Sequence, residues 1–233
     1  MLICFWSPKG GSGTSVVAAA AALVMAREGS VRLADLSGDQ PGIFGVADPA
    51  TGLRDWLRLG PEAPVDALER VAVDAAPRVS LLPSGTADVA PALPEAGAAL
   101  AVALAQDARP TVVDAGTLSP GSVPPAVDAL LEVAEASVIV IRGCYLALRR
   151  AVRLDATAGA TGAVLLHESG RPLGPRDVSD VLGVPVLASV EVRGGTARAV
   201  DAGVLPARLP ESLARPVRHV LRRVGGGGRE RAA

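Results

Sequence analysis

A glycine-rich segment near the N-terminus constrains the fold of this chain more than any other feature. It spans residues 9–15 and lies between an apolar run at 2–6 and an alanine-rich run at 16–27. This order predicts a buried strand that turns through glycines into a helix. The first N–H groups of a helix have no partner within the helix and bind anions, and glycines carry no Cβ atom to hold phosphate oxygens away. The segment therefore predicts a phosphate-binding loop.

Lysine is almost absent from the sequence. Lys9 is the single lysine among 23 basic residues, and Ala, Gly, Pro and Arg are abundant, as in a GC-rich coding bias. Because such a bias replaces lysine by arginine wherever only charge matters, a lysine that persists indicates a position that needs a compact ammonium. Its place at the opening of the glycine loop favours phosphate binding over the alternative, a strand-helix turn that binds nothing.

Segments with strand character alternate with segments of helical character along the whole chain. The predicted strands are residues 2–6, 31–35, 79–82, 111–114, 137–141, 161–167 and 184–190, and the predicted helices are residues 16–27, 51–59, 65–73, 95–108, 124–134, 145–156, 175–182, 196–202 and 211–224. The strands are nearly continuous runs of Val, Ile and Leu, which is typical of strands covered on both faces. We therefore predict an α/β fold, a three-layer sandwich with a mostly parallel central sheet. One domain would span residues 1–224, followed by a flexible Gly/Arg tail at 225–233.

The composition argues against several classes of protein. A chain of 233 residues with 49% hydrophobic and 20% charged residues can form one folded α/β domain. The net charge of −1 indicates no particular partner, and an aromatic content of 2% argues against a base-stacking surface for nucleic acid. Cys4 and Cys144 form no metal or redox motif. Neither a signal peptide nor an apolar run of membrane-spanning length is visible, so we expect a cytoplasmic protein.

The phosphate loop departs from the usual P-loop in the position of its lysine. The usual pattern, G-x-x-x-x-G-K-S/T, places a lysine directly before a hydroxyl residue that ligates Mg²⁺. In this chain Thr14 takes the place of that lysine, Ser15 is the hydroxyl residue, and Lys9 opens the loop. This arrangement resembles the deviant Walker A motif, K-G-G-x-G-K-S/T, of the ParA/MinD family. The resemblance implies a ParA/MinD-like P-loop NTPase fold, ATP or ADP with Mg²⁺ as ligands, and a homodimer in which Lys9 reaches the second subunit's nucleotide.

The resemblance covers most of the chain. Residues 31–41 resemble the family's second strand with its D-x-D motif, residues 111–116 its Walker B strand, residues 181–186 its L-G-V-P-V strand entry and residues 199–203 its A-x-D-x-G helix end. Within the family, residues 7–15 are most similar to the CpaE/TadZ branch of Flp (Tad) pilus assembly, where S-P-K-G-G-x-G-T-T is common. This similarity implies a pilus or polar complex as the protein partner.

The resemblance also implies roles for individual residues. Lys9 would contact phosphates. The loop that wraps them consists of Gly10, Gly11, Ser12, Gly13 and Thr14. Ser15, Asp35 and Asp114 would hold Mg²⁺, directly or through water. An alternative for the two aspartates is a carboxylate that caps the loop after its strand.

Two substitutions predict weak catalysis. Thr14 cannot supply the positive charge that offsets the phosphates in the transition state, and Ser37 takes the place of the family's water-activating aspartate. Asp39, two residues further on, is the remaining candidate for that role, although such a displacement along a strand moves a side chain by several ångströms. Because loss of one such contact typically costs ~10²–10³ in rate, we expect slow or absent hydrolysis.

The C-terminal region is basic and amphipathic. Residues 208–233 contain seven arginines and two glutamates, with apolar residues at helical spacing. The apolar positions are Leu213, Val217, Val220, Leu221 and Val224. Three interpretations stay open: the final helix of the fold with its arginines in water, a membrane-surface anchor like that of MinD, and a nonspecific DNA-binding surface like that of ParA.

The sequence leaves three functions open. The first is an ATP-binding switch that dimerises and positions a pilus or polar complex, with slow or lost hydrolysis. The second is an active ATPase of chromosome partitioning or division-site placement. The third is a scaffold that dimerises without nucleotide. All three are compatible with a cytoplasmic protein that associates peripherally with the membrane.

Overall fold

A computed structural model describes residues 1–87, 93–168 and 170–230 of the chain, with side chains as far as residue 225. The strands are β1 (Leu2–Ser7), β2 (Val31–Asp35), β3 (Val73–Ala76), β4 (Val79–Leu82), β5 (Thr111–Thr117), β6 (Ala136–Arg142), β7 (Gly162–His167) and β8 (Val186–Glu191). The helices are α1 (Thr14–Met25), α2 (Gln40–Phe44), α3 (Leu53–Arg58), α4 (Asp66–Val71), α5 (Pro94–Ala105), α6 (Pro125–Val133), α7 (Tyr145–Ala151), α8 (Asp155–Ala158), α9 (Pro175–Leu182), α10 (Gly194–Asp201) and α11 (Glu211–Glu230).

The strands form one eight-stranded sheet in the order β3-β4-β2-β5-β1-β6-β7-β8. Neighbouring strands run parallel, except that β3 pairs antiparallel with β4 at one edge. Successive residues of β1 point into different cores, because side chains alternate along a strand. Phe5 belongs to the core that contains the alanines of α1, and Trp6 to the core that contains Trp56 of α3 and Leu100 of α5. An apolar core on each face gives the three layers predicted from the sequence, and the fold class is confirmed.

The order of the central strands brings the predicted site residues to one edge of the sheet. In the parallel register, Phe5 of β1 lies beside Asp114 of β5, and Asp114 lies beside Asp35 of β2. Ligands of such sheets bind beyond the carboxyl ends of the strands. The turn that leaves β1 for α1 is therefore next to two aspartates from neighbouring strands.

Several elements differ from those predicted. Helix α1 begins at Thr14 rather than at residue 16, and the helix predicted at 145–156 is divided into α7 and α8. The sequence predicts neither α2 nor β3. Strand β3 carries no continuous apolar run, and it forms because the chain reverses at Arg78, which has a φ angle of 63°, and pairs with β4.

The final helix packs on the sheet. Leu213, Val217 and Val220 are buried, and α11 contacts α1 and β8. The structure thus shows the first of the three interpretations of this helix. The apolar positions of α11 that are buried in this way are not available to a membrane, whereas association of its exposed arginines with a membrane surface or with DNA stays a prediction.

Helix α11 continues through Pro216 to Glu230, beyond the boundary predicted at residue 224. The flexibility of residues 225–233 stays a prediction, and residues 231–233 lie outside the described part of the chain. Within the ranges that the structure describes, no helix combines the length and the apolar character needed to cross a bilayer.

Candidate functional site

The turn between β1 and α1 is shaped by two glycines with positive φ angles. Gly11 has a φ angle of 72°, and Gly13, which precedes α1, has a φ angle of 80°. A Cβ atom on Gly13 would lie 2.6 Å from Leu166 Cδ2, so both the conformation and the available space require glycine there. Ser12 Oγ donates to the Lys9 carbonyl at 2.6 Å and closes the turn from within.

The backbone N–H groups of this turn form no hydrogen bond with the described residues. Within the described part of the chain, no N–H group of residues 10–14 donates a hydrogen bond. Unpaired N–H groups at the start of a 12-residue helix, with the positive end of its dipole behind them, attract an anion. The turn therefore has the properties of the predicted phosphate loop.

Two buried carboxylates lie beside the loop. Asp35 ends β2, Asp114 lies in β5, and both have 0% of their surface exposed. Asp35 accepts hydrogen bonds from the N–H groups of Gly38 at 2.7 Å and Gln40 at 3.1 Å, and Asp114 accepts one from Gly116 N–H at 3.1 Å. Asp35 thus caps the turn that follows its strand, which was one of the two roles considered from the sequence, whereas Asp114 bonds a residue of its own strand.

Burial raises the pKa of both carboxyl groups, and a neighbouring like charge raises that of Asp35 further. The pKa of Asp35 rises from 3.8 to about 6, chiefly because burial disfavours the ionised form and also because the charge of Asp114 is close. Burial likewise raises the pKa of Asp114. A buried pair of this kind is stabilised by a proton or by a cation. The site therefore attracts positive charge next to a loop that attracts negative charge.

Ser37 and Gln40 connect the carboxylates to the phosphate loop. Ser37 Oγ lies 2.7 Å from Asp114 Oδ2, 3.0 Å from Asp35 Oδ1 and 3.3 Å from Ser15 Oγ. Gln40 Nε2 donates to Asp114 Oδ2 at 2.8 Å and to the Ser15 carbonyl at 3.0 Å. Gln40 Oε1 is buried without a hydrogen-bond partner among the described residues. The sequence reasoning did not identify Gln40, although its place in the polar turn after β2 was a usable signal.

The donor set fits a Mg²⁺ ion that arrives with a phosphate. Ser15 Oγ, which donates to Asp39 Oδ2 at 3.2 Å, would be the hydroxyl that binds the ion directly. The oxygens of Asp35 and Asp114 already accept hydrogen bonds, so these residues would hold the ion through water. No cluster of three or more His, Cys, Asp or Glu side chains suited to a metal occurs in the described ranges. A Mg²⁺ ion here would need phosphate oxygens among its ligands, as is usual for this ion.

Lys9 stands at the rim of the site. Its ammonium donates to the Gly10 carbonyl at 3.4 Å in a solvent-exposed hydrogen bond. No carboxylate of the described residues forms an ion pair with it. The structure thus brings Ser15, Asp35, Asp39 and Asp114 together beside the loop, and leaves the Lys9 ammonium in solvent.

The loop and the residues beside it open into one cavity of about 1030 Å³. Its wall includes residues 11–16 of the loop and α1, residues 36–37 after β2, residues 115–117 of β5 and residues 122–127 at the start of α6. Small-molecule sites typically have volumes of roughly 300–1,000 Å³. The cavity is therefore large enough for a nucleotide.

Neither a protein-family model nor a curated protein sequence matches the chain. Solved structures match it over nearly its whole length. A ParA family ATPase from Chlorobium tepidum TLS is 19% identical with a TM-score of 0.76, covering 93% of this chain and 96% of that chain. The septum site-determining protein MinD from Pyrococcus horikoshii OT3, complexed with Mg-ADP, is 21% identical with a TM-score of 0.76, covering 96% and 95%. An ATP complex of a Cyanothece McdA variant is 15% identical with a TM-score of 0.70, covering 96% of each chain.

The chain therefore has the fold of a P-loop nucleoside triphosphatase. Within that class, its eight-stranded, mostly parallel sheet and flanking helices match those of the ParA/MinD ATPases. At 15–21% identity this likeness concerns the fold, and the chemistry of the site depends on the residues of this chain.

Proposed function

We propose that this protein is an ATP-binding switch of the ParA/MinD type, which binds ATP or ADP with Mg²⁺, forms a homodimer and positions a cellular complex. One observation carries the proposal: the unpaired N–H groups of residues 10–14 share a site with the buried carboxylates Asp35 and Asp114. The N–H groups attract phosphates, and the carboxylates attract the cation that accompanies them. The fold likeness to MinD with Mg-ADP and to McdA with ATP supports this choice of ligand.

Hydrolysis is slow or absent on this proposal. Thr14 carries no charge to offset the phosphates, and the Ser37 hydroxyl, which lies between two carboxylates, is not a base at neutral pH. Asp39 Oδ2, 3.2 Å from Ser15 Oγ, is the candidate base for any residual reaction. Each lost contact of this kind typically costs ~10²–10³ in rate, so binding survives where turnover does not.

A second copy of the chain completes the site. The Lys9 ammonium lies in solvent at the rim of the loop. A deviant Walker A motif uses its opening lysine across the interface between two subunits. Lys9 would then supply to the second subunit's nucleotide the positive charge that Thr14 does not.

The cargo is inferred from the similarity to the CpaE/TadZ branch. Residues 7–15 read S-P-K-G-G-S-G-T-S, with threonine in place of the second lysine as in that branch. The partner would be a component of a pilus or another polar complex. The exposed arginines Arg215, Arg222 and Arg223 of α11 would add nonspecific affinity for DNA or for an anionic membrane surface.

The test compares wild type with Lys9→Ala in calorimetric titrations with Mg·ATP and Mg·ADP, with the molecular mass measured by light scattering. The matched control is Arg27→Ala, which removes an exposed positive charge at the other end of α1. We expect wild type and Arg27→Ala to bind both nucleotides and to dimerise with ATP, and Lys9→Ala to lose the dimer. Absence of wild-type binding at millimolar nucleotide would reject the switch and leave the nucleotide-independent scaffold. Turnover as fast as that of active ParA/MinD ATPases would reject slow hydrolysis.

A further inference from the structure

The cavity extends beyond the phosphate loop to a cation that the proposed function has not used. Arg54, in the first turn of α3, and Ser84, just after β4, both line it. Arg54 Nη2 lies 3.9 Å from the position of a Cβ atom built on Gly38, so the guanidinium lies beside the turn that carries Ser37. The arginine therefore faces the same space as the loop that would bind phosphates.

The start of α3 is fixed to the end of β4. Arg54 N–H donates to the Ser84 carbonyl at 3.1 Å, and Asp55 Oδ2 accepts a hydrogen bond from Gly52 N–H at 2.9 Å. Gly52 packs directly on Gly85, since a Cβ atom on Gly52 would lie 2.5 Å from the Gly85 nitrogen. These contacts hold the backbone of Arg54 at a defined point on the cavity wall.

Arg54 and Ser84 bring hydrogen-bond donors to this end of the cavity. Arg54 Nη1 donates to the Ala87 carbonyl at 3.2 Å, and no carboxylate in the described part of the chain pairs with the guanidinium. Ser84 is 3% exposed, and its Oγ is buried with no hydrogen-bond partner among the described residues. A buried hydroxyl is normally hydrogen-bonded, and a guanidinium presents a planar fork of donors that matches phosphate oxygens. Both groups would be satisfied by an anionic oxygen.

The order of the strands indicates which anion reaches Arg54. Strands β1, β5, β2 and β4 are successive neighbours in the sheet. The phosphate loop follows β1, the carboxylates Asp114 and Asp35 belong to β5 and β2, and Arg54 lies at the end of β4. A polyphosphate that begins in the loop and passes the cation site would have its terminal phosphate on the side of Arg54.

We propose that Arg54 binds the terminal phosphate of a nucleoside triphosphate, and so supplies within the same subunit part of the positive charge that Thr14 lacks. This inference rests on the proposed function, since it requires a nucleotide in the loop. On this proposal the terminal phosphate is the one that contacts Arg54, so a diphosphate held by residues 10–14 would lack this contact. The arginine thus distinguishes the triphosphate from the diphosphate, which is the difference that a nucleotide switch must detect.

The test measures the affinities of Arg54→Ala, Arg54→Lys and wild type for Mg·AMPPNP and Mg·ADP by calorimetry. Arg54→Ala should lower the affinity for Mg·AMPPNP about tenfold or more and leave the affinity for Mg·ADP within about twofold of wild type. The affinity of Arg54→Lys for Mg·AMPPNP should lie between those of wild type and Arg54→Ala, because lysine keeps the charge and loses the planar fork of donors. Arg58→Ala, which removes an exposed arginine of the same helix, is the matched control and should change neither affinity.

Three results would count against the proposal or its basis. Equal affinity of Arg54→Ala and wild type for Mg·AMPPNP would overturn the role of Arg54 and leave the proposed function intact. Equal weakening of both nucleotides, together with a lower thermal unfolding temperature, would also overturn it by making Arg54 a structural residue. Failure of wild type to bind either nucleotide would reject the proposed function itself, before any variant is compared.

Discussion

Replacing Asp35 with asparagine should remove a pH dependence of stability that this buried carboxyl group imposes. Its pKa is about 6 in the folded protein against an ordinary 3.8, because burial disfavours the charge and Asp114 lies beside it. The folded state therefore binds the proton of Asp35 more tightly than the unfolded state does, and protonation stabilises the fold. This stabilisation is fully present below about pH 4 and is lost as the pH rises through about 6. At roughly 1.4 kcal/mol for each pH unit between the two pKa values, the loss is about 3 kcal/mol.

Urea unfolding of the nucleotide-free protein at several pH values measures this loss. Between about pH 3 and about pH 8, the free energy of unfolding of wild type should fall by about 3 kcal/mol more than that of Asp35→Asn. Asparagine also weakens the hydrogen bond that Asp35 accepts from Gln40 N–H, and this lowers stability at every pH. The quantity compared is therefore the slope of the unfolding free energy against pH. Asp128→Asn, which removes an exposed carboxylate of α6, should keep the wild-type slope. Parallel profiles for wild type and Asp35→Asn would refute the claim of a buried, unneutralised pair.

Three further changes test other parts of the site. Gly13→Ala should destabilise the fold by about 1–3 kcal/mol and weaken Mg·ATP binding, because the new Cβ atom would meet Leu166 Cδ2 and the φ angle is positive. A variant with wild-type stability in urea unfolding and wild-type affinity in calorimetry would contradict the loop geometry. Ser37→Asp combined with Thr14→Lys restores both missing catalytic groups and should raise phosphate release by ~10² or more, whereas an unchanged rate would place the defect elsewhere. Gln40→Leu removes the hydrogen bonds from Gln40 Nε2 to Asp114 and to the Ser15 carbonyl. It should weaken nucleotide binding about tenfold in the presence of Mg²⁺ but not in the presence of EDTA. Equal losses of affinity in both buffers would argue against a role at the cation site.

Most of the sheet can be predicted from the sequence, because strands covered on both faces need continuous Val, Ile and Leu. Strand β3 does not follow this rule. It contains Asp74 and small alanines, and it pairs with β4 alone at the edge of the sheet, where only a half-buried surface is required. The reversal at Arg78 that creates this pairing is a backbone feature with no strong residue signature.

The phosphate loop and Asp35 are predictable because each directly follows or ends a strand, and Asp114 because it lies beside Asp35 on the neighbouring parallel strand. From the sequence, Ser37 can be recognised only as the residue that takes the place of the family's water-activating aspartate. Its hydrogen bond of 2.7 Å to Asp114 Oδ2 joins residues far apart in the chain, and no local pattern encodes it. Arg54 reaches the cavity because Gly52 packs on Gly85, which is likewise a tertiary contact.

The central claim is that backbone N–H groups of residues 10–14 bind a polyphosphate. Amide chemical shifts of ¹⁵N-labelled protein report this contact directly during a titration with Mg·ADP. We predict large, saturable shifts for Gly10, Gly11 and Gly13, and no comparable shifts for Gly60 and Gly183, which lie in turns after α3 and α9. Loop glycines whose amide signals stay in place at millimolar Mg·ADP would contradict the account.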